Sequence, residues 1–159
     1  MNFISAFEVI GPNMVGPSSS HTAGAVSIGK MARKLFKEKV VMINDDKPII
    51  RKKDGVFYVY GTPWMGKSNI GNNVKAPVKA VYILQRGEKN SVVRVKPGEV
   101  FKNILEATVV PTDRRNMEKL LELLNEFFSS APLFLLTCNM DIEAAQVAYN
   151  AAENIFPKS

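Results

Sequence analysis

Two adjacent acids, Asp45 and Asp46, follow the apolar run VVMI, which predicts a buried strand. Two carboxylates so close together need a positive partner before both can ionise. Acids at the end of a strand commonly hold a divalent cation such as Mg²⁺ or accept a proton. Asp45 and Asp46 are therefore a candidate catalytic and metal-binding pair, and the alternative is an exposed acidic turn without a ligand.

A glycine-rich loop from Gly61 to Ser68 satisfies the phosphate-loop pattern G-x-x-x-x-G-K-[ST]. Lys67 and Ser68 stand at the positions that contact phosphates, and Trp64, the only tryptophan, is placed to stack on a nucleotide base. A working phosphate loop opens a helix, whereas the residues after Ser68 are rich in asparagine and glycine. The pattern favours a rigid surface loop, with Trp64 packed beneath it, over a true phosphate loop.

A second loop, GPSSSHTAG, precedes a segment whose apolar residues recur at helical spacing from Ala25 to Phe36. This spacing predicts a helix with one buried face and one basic face. The free N–H groups at a helix N-terminus attract a carboxylate or a phosphate, although serines there also serve simply as caps. The candidate ligand-binding residues of this loop are Ser18, Ser19, Ser20, His21 and Thr22.

The composition is that of one globular domain of 159 residues, with 46% hydrophobic and 23% charged residues. Cys138 is the only cysteine, which excludes an internal disulfide and a site built from several thiolates. No apolar run is long enough to cross a membrane and the N-terminus lacks a basic start, so we expect a soluble cytoplasmic protein with no membrane partner. The net charge of +6 favours acidic partners such as phosphates, carboxylates or nucleic acid without choosing among them, and a solvated basic surface is the alternative. Of these partners we expect a small anionic ligand, a phosphate, nucleotide or carboxylate. The lack of an aromatic-and-arginine platform in the sequence argues against nucleic acid.

The order of predicted elements indicates an α/β fold, one domain over residues 1–159 with a mixed sheet flanked by helices. Unpaired strand edges would also favour a homo-oligomer. The predicted elements after the first helix are the strand VVMIND, a hairpin turning at Asp54-Gly55, the strands APVKAVYIL and SVVRVK, the helices KPGEVFKNILEAT and PTDRRNMEKLLELLNEFFSS, the strand LFLLTCN and the helix DIEAAQVAYNAAENIF.

The N-terminal segment IGPNMVGPSSSHTAGAVSIGKMARKL closely resembles the opening of the β subunit of iron–sulfur-dependent L-serine dehydratases, over about residues 3–36. The resemblance implies that Ser18 to Thr22 help to hold a substrate carboxylate. The cysteines that bind the cluster in that family belong to a catalytic part outside this sequence. No iron–sulfur cluster is therefore expected in this chain, and the lyase reaction would need a cluster-bearing partner.

Residues 41–157, most sharply MINDDKPIIRKKDGVFYVYGTPW, resemble the C-terminal half of HPr-kinase and phosphoenolpyruvate-carboxykinase-like nucleotide-binding proteins. This resemblance implies a truncated phosphate-loop-kinase-like fold in which Asp45 and Asp46 serve Mg²⁺, ATP and phosphoryl chemistry. The phosphate loop of that family precedes the acidic pair, and GPSSSHTAG takes its place here. Aligned on Gly16, the family's G-K-[ST] positions are occupied here by His21, Thr22 and Ala23. The phosphate-binding lysine is therefore missing, and phosphoryl transfer should be feeble.

The chain therefore reads as a chimera of a serine-dehydratase-like segment, residues 1–38, and a kinase-like segment, residues 39–159. Three functional interpretations remain open. The first is a divergent kinase-like phosphate- or nucleotide-binding protein with little or no turnover. The second is a β-type component of an L-serine ammonia-lyase, and the third is a non-catalytic binding module.

Overall fold

The computed structural model of the protein describes residues 41–139 and 141–154. The predicted N-terminal loop and helix, residues 16–36, lie outside this part of the chain. The described elements are β1 (Ile49–Lys53), β2 (Val56–Tyr60), β3 (Lys75–Pro77), β4 (Val81–Arg86), β5 (Ser91–Arg94), a 3₁₀ helix (Pro97–Val100), α1 (Phe101–Glu106), α2 (Arg114–Ser130), β6 (Leu133–Cys138) and α3 (Glu143–Glu153). Within the described residues, no helix is both long enough and apolar enough to cross a membrane.

The first sheet is antiparallel, with the strand order β1-β2-β3. β1 and β2 form the predicted hairpin, and the two turn residues Asp54 and Gly55 have φ angles of 50° and 80°. Positive φ at both central residues is the mark of the type I′ turn, whose twist matches that of the strands it joins. Pro77 lies in the outer strand β3, as expected of a residue without an N–H group for a further ladder.

The second sheet is mixed, with β6 in the centre, β4 parallel to it on one side and β5 antiparallel on the other. The prediction of one mixed sheet is therefore wrong in part, because the described strands form two three-stranded sheets. The coarser prediction of an α/β fold is confirmed.

Helices cover both faces of the second sheet. Successive side chains of β4 point to opposite faces, so each face is identified by the β4 residues that it carries. On one face Val81 and Ile83 pack against a buried cluster that includes Val100, Ile104 and Leu133. On the other face Tyr82 stacks on Phe134 with ring centroids 5.1 Å apart. The Tyr82 hydroxyl also donates to the Ala148 carbonyl of α3 at 2.7 Å, which fixes α3 on that face.

The predicted long helix is confirmed as α2, and Asp113 is its N-cap. Its residues Leu124 and Phe128 pack against the core of the second sheet. Phe127, one position before Phe128, is buried against the first sheet instead. The apolar face is thus shared between two sheets, and Leu121, which the helical pattern places on the buried face, is 41% exposed.

The strand predicted at VVMIND is absent from its described part. Val41 is 64% exposed, and the only ladder contact described for residues 41–46 is an isolated bridge between Asn44 and Gly71. Asn and Asp are poor strand formers because their side chains compete for backbone hydrogen bonds. That competition decides the structure here, since Asn44 and Asp45 bind a neighbouring loop rather than a strand.

Candidate functional site

The candidate site is the junction between residues 42–47 and the glycine-rich loop, residues 61–73. Backbone hydrogen bonds join the two segments, from Asp45 N to the Ile70 carbonyl at 3.0 Å and from Asn72 N to the Ile43 carbonyl at 2.9 Å. The segments approach so closely that a Cβ atom on Gly61 would collide with the carbonyl oxygen of Asn72. The first glycine of the phosphate-loop pattern is therefore required by packing, independently of any phosphate.

The carboxylate of Asp45 closes this junction. Its two oxygens accept the backbone N–H groups of Gly66 at 2.7 Å and of Ser68 at 2.9 Å. Asp45 is buried, with 6% of its surface exposed. Gly66 and Ser68 are the last glycine and the hydroxyl residue of the phosphate-loop pattern. The chain's own carboxylate thus occupies the N–H groups that a phosphate would need.

Asn44 and Thr62 hold the other side of the junction. The Asn44 side-chain amide donates to the carbonyls of Thr62 at 3.1 Å and Trp64 at 3.2 Å. The buried Thr62 hydroxyl donates to the Lys47 carbonyl at 2.7 Å. Neither residue was among the sequence candidates, although short polar side chains beside an acid and a Gly-Thr-Pro turn were a usable signal.

The structure brings five of the predicted site residues to this junction: Asp45, Asp46, Trp64, Lys67 and Ser68. Trp64 is 39% exposed, which places it on the surface of the loop. The remaining candidates, Ser18 to Thr22, lie outside the described residues. Within the described part of the chain, neither Asp46 nor Lys67 takes part in an ion pair.

The residues of this junction would fit Mg²⁺ only in company with a phosphate ligand. Both oxygens of Asp45 are already bound to N–H groups, which leaves Asp46 as the accessible carboxylate. No group of three or more His, Cys, Asp or Glu side chains suited to a metal exists among the described residues. Mg²⁺ is commonly held by one or two carboxylates together with phosphate oxygens and water. A single carboxylate fits that mode and does not fit an all-protein cage.

Comparison with known proteins gives short matches in the N-terminal region. The chain is 64% identical over 36 residues to the probable L-serine dehydratase, beta chain, of Bacillus subtilis (strain 168), which is 23% of this chain and 16% of that protein. It is 69% identical over 32 residues to the L-serine dehydratase, beta chain, of Peptoniphilus asaccharolyticus, which is 20% of this chain and 14% of that protein. The matches thus span about a sixth or less of each relative.

No protein-family model matches the chain. No solved structure matches it either. The N-terminal resemblance to serine dehydratase β chains is therefore supported by identity over about a fifth of the chain. The matches do not extend to the junction of residues 42–47 and 61–73, whose function is argued from its own geometry.

Proposed function

We propose that the protein is a phosphate- or nucleotide-binding module, a divergent and truncated relative of the HPr-kinase-like proteins with little or no phosphoryl transfer. The observation that carries the proposal is the carboxylate bridge from Asp45 to Gly66 and Ser68. This bridge fixes the lysine-bearing loop against the acidic segment. Lys67 stands between the two bridged residues and Asp46 follows Asp45 in the chain, so the bridge brings a cation and a carboxylate to the same junction. A magnesium-phosphate ligand would suit such a junction.

The roles in this module differ from those of a phosphate loop. Lys67 is exposed and would contribute its charge to the phosphate, while Asp46 would contribute one ligand to the accompanying Mg²⁺. Trp64 would stack on the base of a nucleotide. Asp45 is a positioning residue, because its oxygens are committed to the backbone. Mg²⁺, when bound, would neutralise phosphate charge.

Weak or absent turnover follows from the same geometry. A phosphate loop stabilises the transferring group with successive backbone N–H groups and a lysine at a helix N-terminus. Here two of those N–H groups are occupied by Asp45, and the residues after Ser68 form no helix. The module would therefore bind its ligand without organising the transition state of transfer.

Trp64 provides the test, since it is the only tryptophan. Titration of the full chain with MgATP should change the tryptophan emission saturably, and Lys67→Gln should weaken binding by about tenfold or more through loss of a charge-assisted contact. Lys102→Gln is the matched control, because Lys102 is an exposed lysine of α1. An unchanged emission together with an unchanged melting temperature at saturating MgATP would refute the proposal.

A second candidate function rests on the 36-residue match to a serine dehydratase β chain. In this alternative the chain is a β-type component of an L-serine ammonia-lyase, with Ser18, Ser19, Ser20, His21 and Thr22 binding the substrate carboxylate and a partner chain carrying the iron–sulfur cluster. L-serine should then raise the melting temperature of the chain. The double variant Ser19→Ala with Ser20→Ala should lose this gain, whereas Lys67→Gln should keep it. A parent chain indifferent to L-serine would rule this alternative out.

A further inference from the structure

The outer face of the first sheet carries aromatic and basic side chains together. Alternation along β2 places Phe57 towards α2, where it contacts Phe127. Tyr58 and Tyr60 therefore point to the opposite face of the sheet. The strand register adds Arg51 directly across from Tyr58 and Lys75 directly across from Tyr60. We call this surface, made of Ile49, Arg51, Lys53, Val56, Tyr58, Tyr60, Lys75 and Pro77, the outer face.

The two tyrosine rings of the outer face are neighbours. Their centroids lie 6.5 Å apart and their planes are inclined by 57°. The Lys75 ammonium lies 5.1 Å from the centroid of the Tyr58 ring, within the range of a cation–π contact. Both tyrosines are half-buried while Lys53 and Lys75 are exposed. Aromatic surface and positive charge are thus presented side by side.

The charged residues in the three strands of the first sheet are all basic. The strands IIRKK, VFYVY and KAP contain no acidic residue. The cation of the inner face, Lys52, is paired with Glu126 of α2 at 2.9 Å. Within the described part of the chain, Lys53 and Lys75 of the outer face take part in no ion pair. A polyanion is therefore the partner whose charge is complementary to this surface.

We propose that the outer face binds single-stranded nucleic acid. Proteins of this kind stack unpaired bases on aromatic side chains displayed by a sheet and hold the backbone with nearby cations. Tyr58 and Tyr60 are the stacking residues, and Lys53 and Lys75 contact phosphates. The sequence alone argued against this partner, because the rings and the cations come from three strands and meet only through the strand register. No residue of the outer face belongs to the junction of residues 42–47 and 61–73 that is proposed for phosphate binding.

The experiment measures fluorescence anisotropy of a labelled 20-nucleotide oligouridylate, and in a parallel arm of oligothymidylate, with the full chain at low salt. Tyr58→Leu should weaken binding by about fivefold to 150-fold, the cost of losing one stacked base, whereas Tyr58→Phe should bind like the parent. Lys75→Gln should weaken binding and lower the slope of log affinity against log salt by about 0.7, the value for one phosphate contact on a single strand. Circular dichroism checks that each variant is folded.

The controls separate stacking from unspecific charge attraction. Lys102→Gln removes an exposed cation of α1, outside the first sheet, and should have no more than a small effect. Equal binding of a duplex of the same length, or equal binding by Tyr58→Leu and the parent, would overturn the proposal. So would failure of the parent to bind either oligonucleotide. A change in the monomer–dimer equilibrium on Tyr58→Leu, without a change in oligonucleotide binding, would assign the outer face to self-association instead.

Discussion

Phe57 of β2 and Phe127 of α2 meet edge to face, with ring centroids 5.1 Å apart and an interplanar angle of 65°. Each residue keeps only 6% of its surface exposed. Edge-to-face pairs of this kind add to the free energy gained from burial alone. Since Leu124 and Phe128 of the same helix pack on the second sheet, α2 is the element that joins the two sheets into one folding unit.

The first prediction is that Phe127→Ala strongly destabilises the whole protein. Loss of a buried phenylalanine leaves a cavity and costs about 3–5 kcal/mol of unfolding free energy. Leu121→Ala is the control on the same helix, because Leu121 is 41% exposed and should cost much less. Urea unfolding followed by circular dichroism measures both. A loss confined to one part of the transition, with the remainder unchanged, would contradict the role of α2 as the shared element.

The second prediction concerns acid stability at the start of α2. Hydrogen bonds from the backbone N–H and the side chain of Asn116 hold the pKa of the Asp113 carboxyl below its usual value. A carboxyl whose pKa is lowered in the folded state contributes stability above its unfolded pKa, near 3.9. That contribution is lost as the pH falls through the lower folded pKa.

Two substitutions at Asp113 test this direction of the change in stability with pH. Asp113→Asn keeps an oxygen acceptor for the cap and should flatten the fall of the melting temperature below about pH 4. Asp113→Ala removes the acceptor and should lower the melting temperature at neutral pH as well. An acid profile of Asp113→Asn that is identical to that of the parent would show that this cap has no part in acid stability.

The local elements could largely be predicted from the sequence, while their arrangement could not. The hairpin at Asp54-Gly55 and the helix after Asp113 are encoded by turn and capping residues close together in the chain, and both are confirmed. The division into two sheets depends instead on which strands pair over long separations, such as β4 with β6. Hydrophobic patterns do not specify such pairing.

In the candidate site, too, the residue types could be predicted from the sequence, but their contacts could not. The sequence identified Asp45 and Lys67 by residue type, but it assigned Asp45 to the end of a strand. The structure shows instead that its carboxylate binds backbone N–H groups 21 and 23 residues further along. A match to the phosphate-loop pattern contains no information about what binds those N–H groups. Their partner is decided by the fold, which brings Asp45 to the loop.

The third prediction uses two glycines that differ in backbone conformation. Gly55 has a φ of +80°, and nothing lies within 4 Å of the position that a Cβ atom would take. Gly55→Ala should therefore destabilise the protein by about 1–2 kcal/mol through backbone strain alone. Gly98 has equal space but no such φ, so Gly98→Ala should be neutral or slightly stabilising. Equal effects of the two variants in urea unfolding would contradict the turn assignment.

The last prediction is that Asp45 is required for the loop that carries Lys67, and that Asp46 is not. Asp45→Ala leaves the N–H groups of Gly66 and Ser68 without their partner. Hydrogen bonds to a charged acceptor are worth about 1.5–3 kcal/mol each, so the variant should lose at least that amount of stability. Asp46→Asn should change stability by no more than about 0.5 kcal/mol, because Asp46 contacts the junction through its backbone N–H, which donates to Asn44 Oδ1.

The Asp45→Ala variant also separates the structural role from the proposed function. The emptied pair of N–H groups should accept a small carboxylate, so acetate should restore part of the lost melting temperature in this variant and have no effect on the parent. MgATP binding should weaken in Asp45→Ala, because the loop that carries Lys67 is no longer fixed to the segment that carries Asp46. Acetate should restore this binding in parallel. If stability is restored without binding, Asp45 supports the loop alone and the magnesium-phosphate site lies elsewhere. If Asp45→Ala is as stable as the parent, the bridge to Gly66 and Ser68 does not hold the loop in solution.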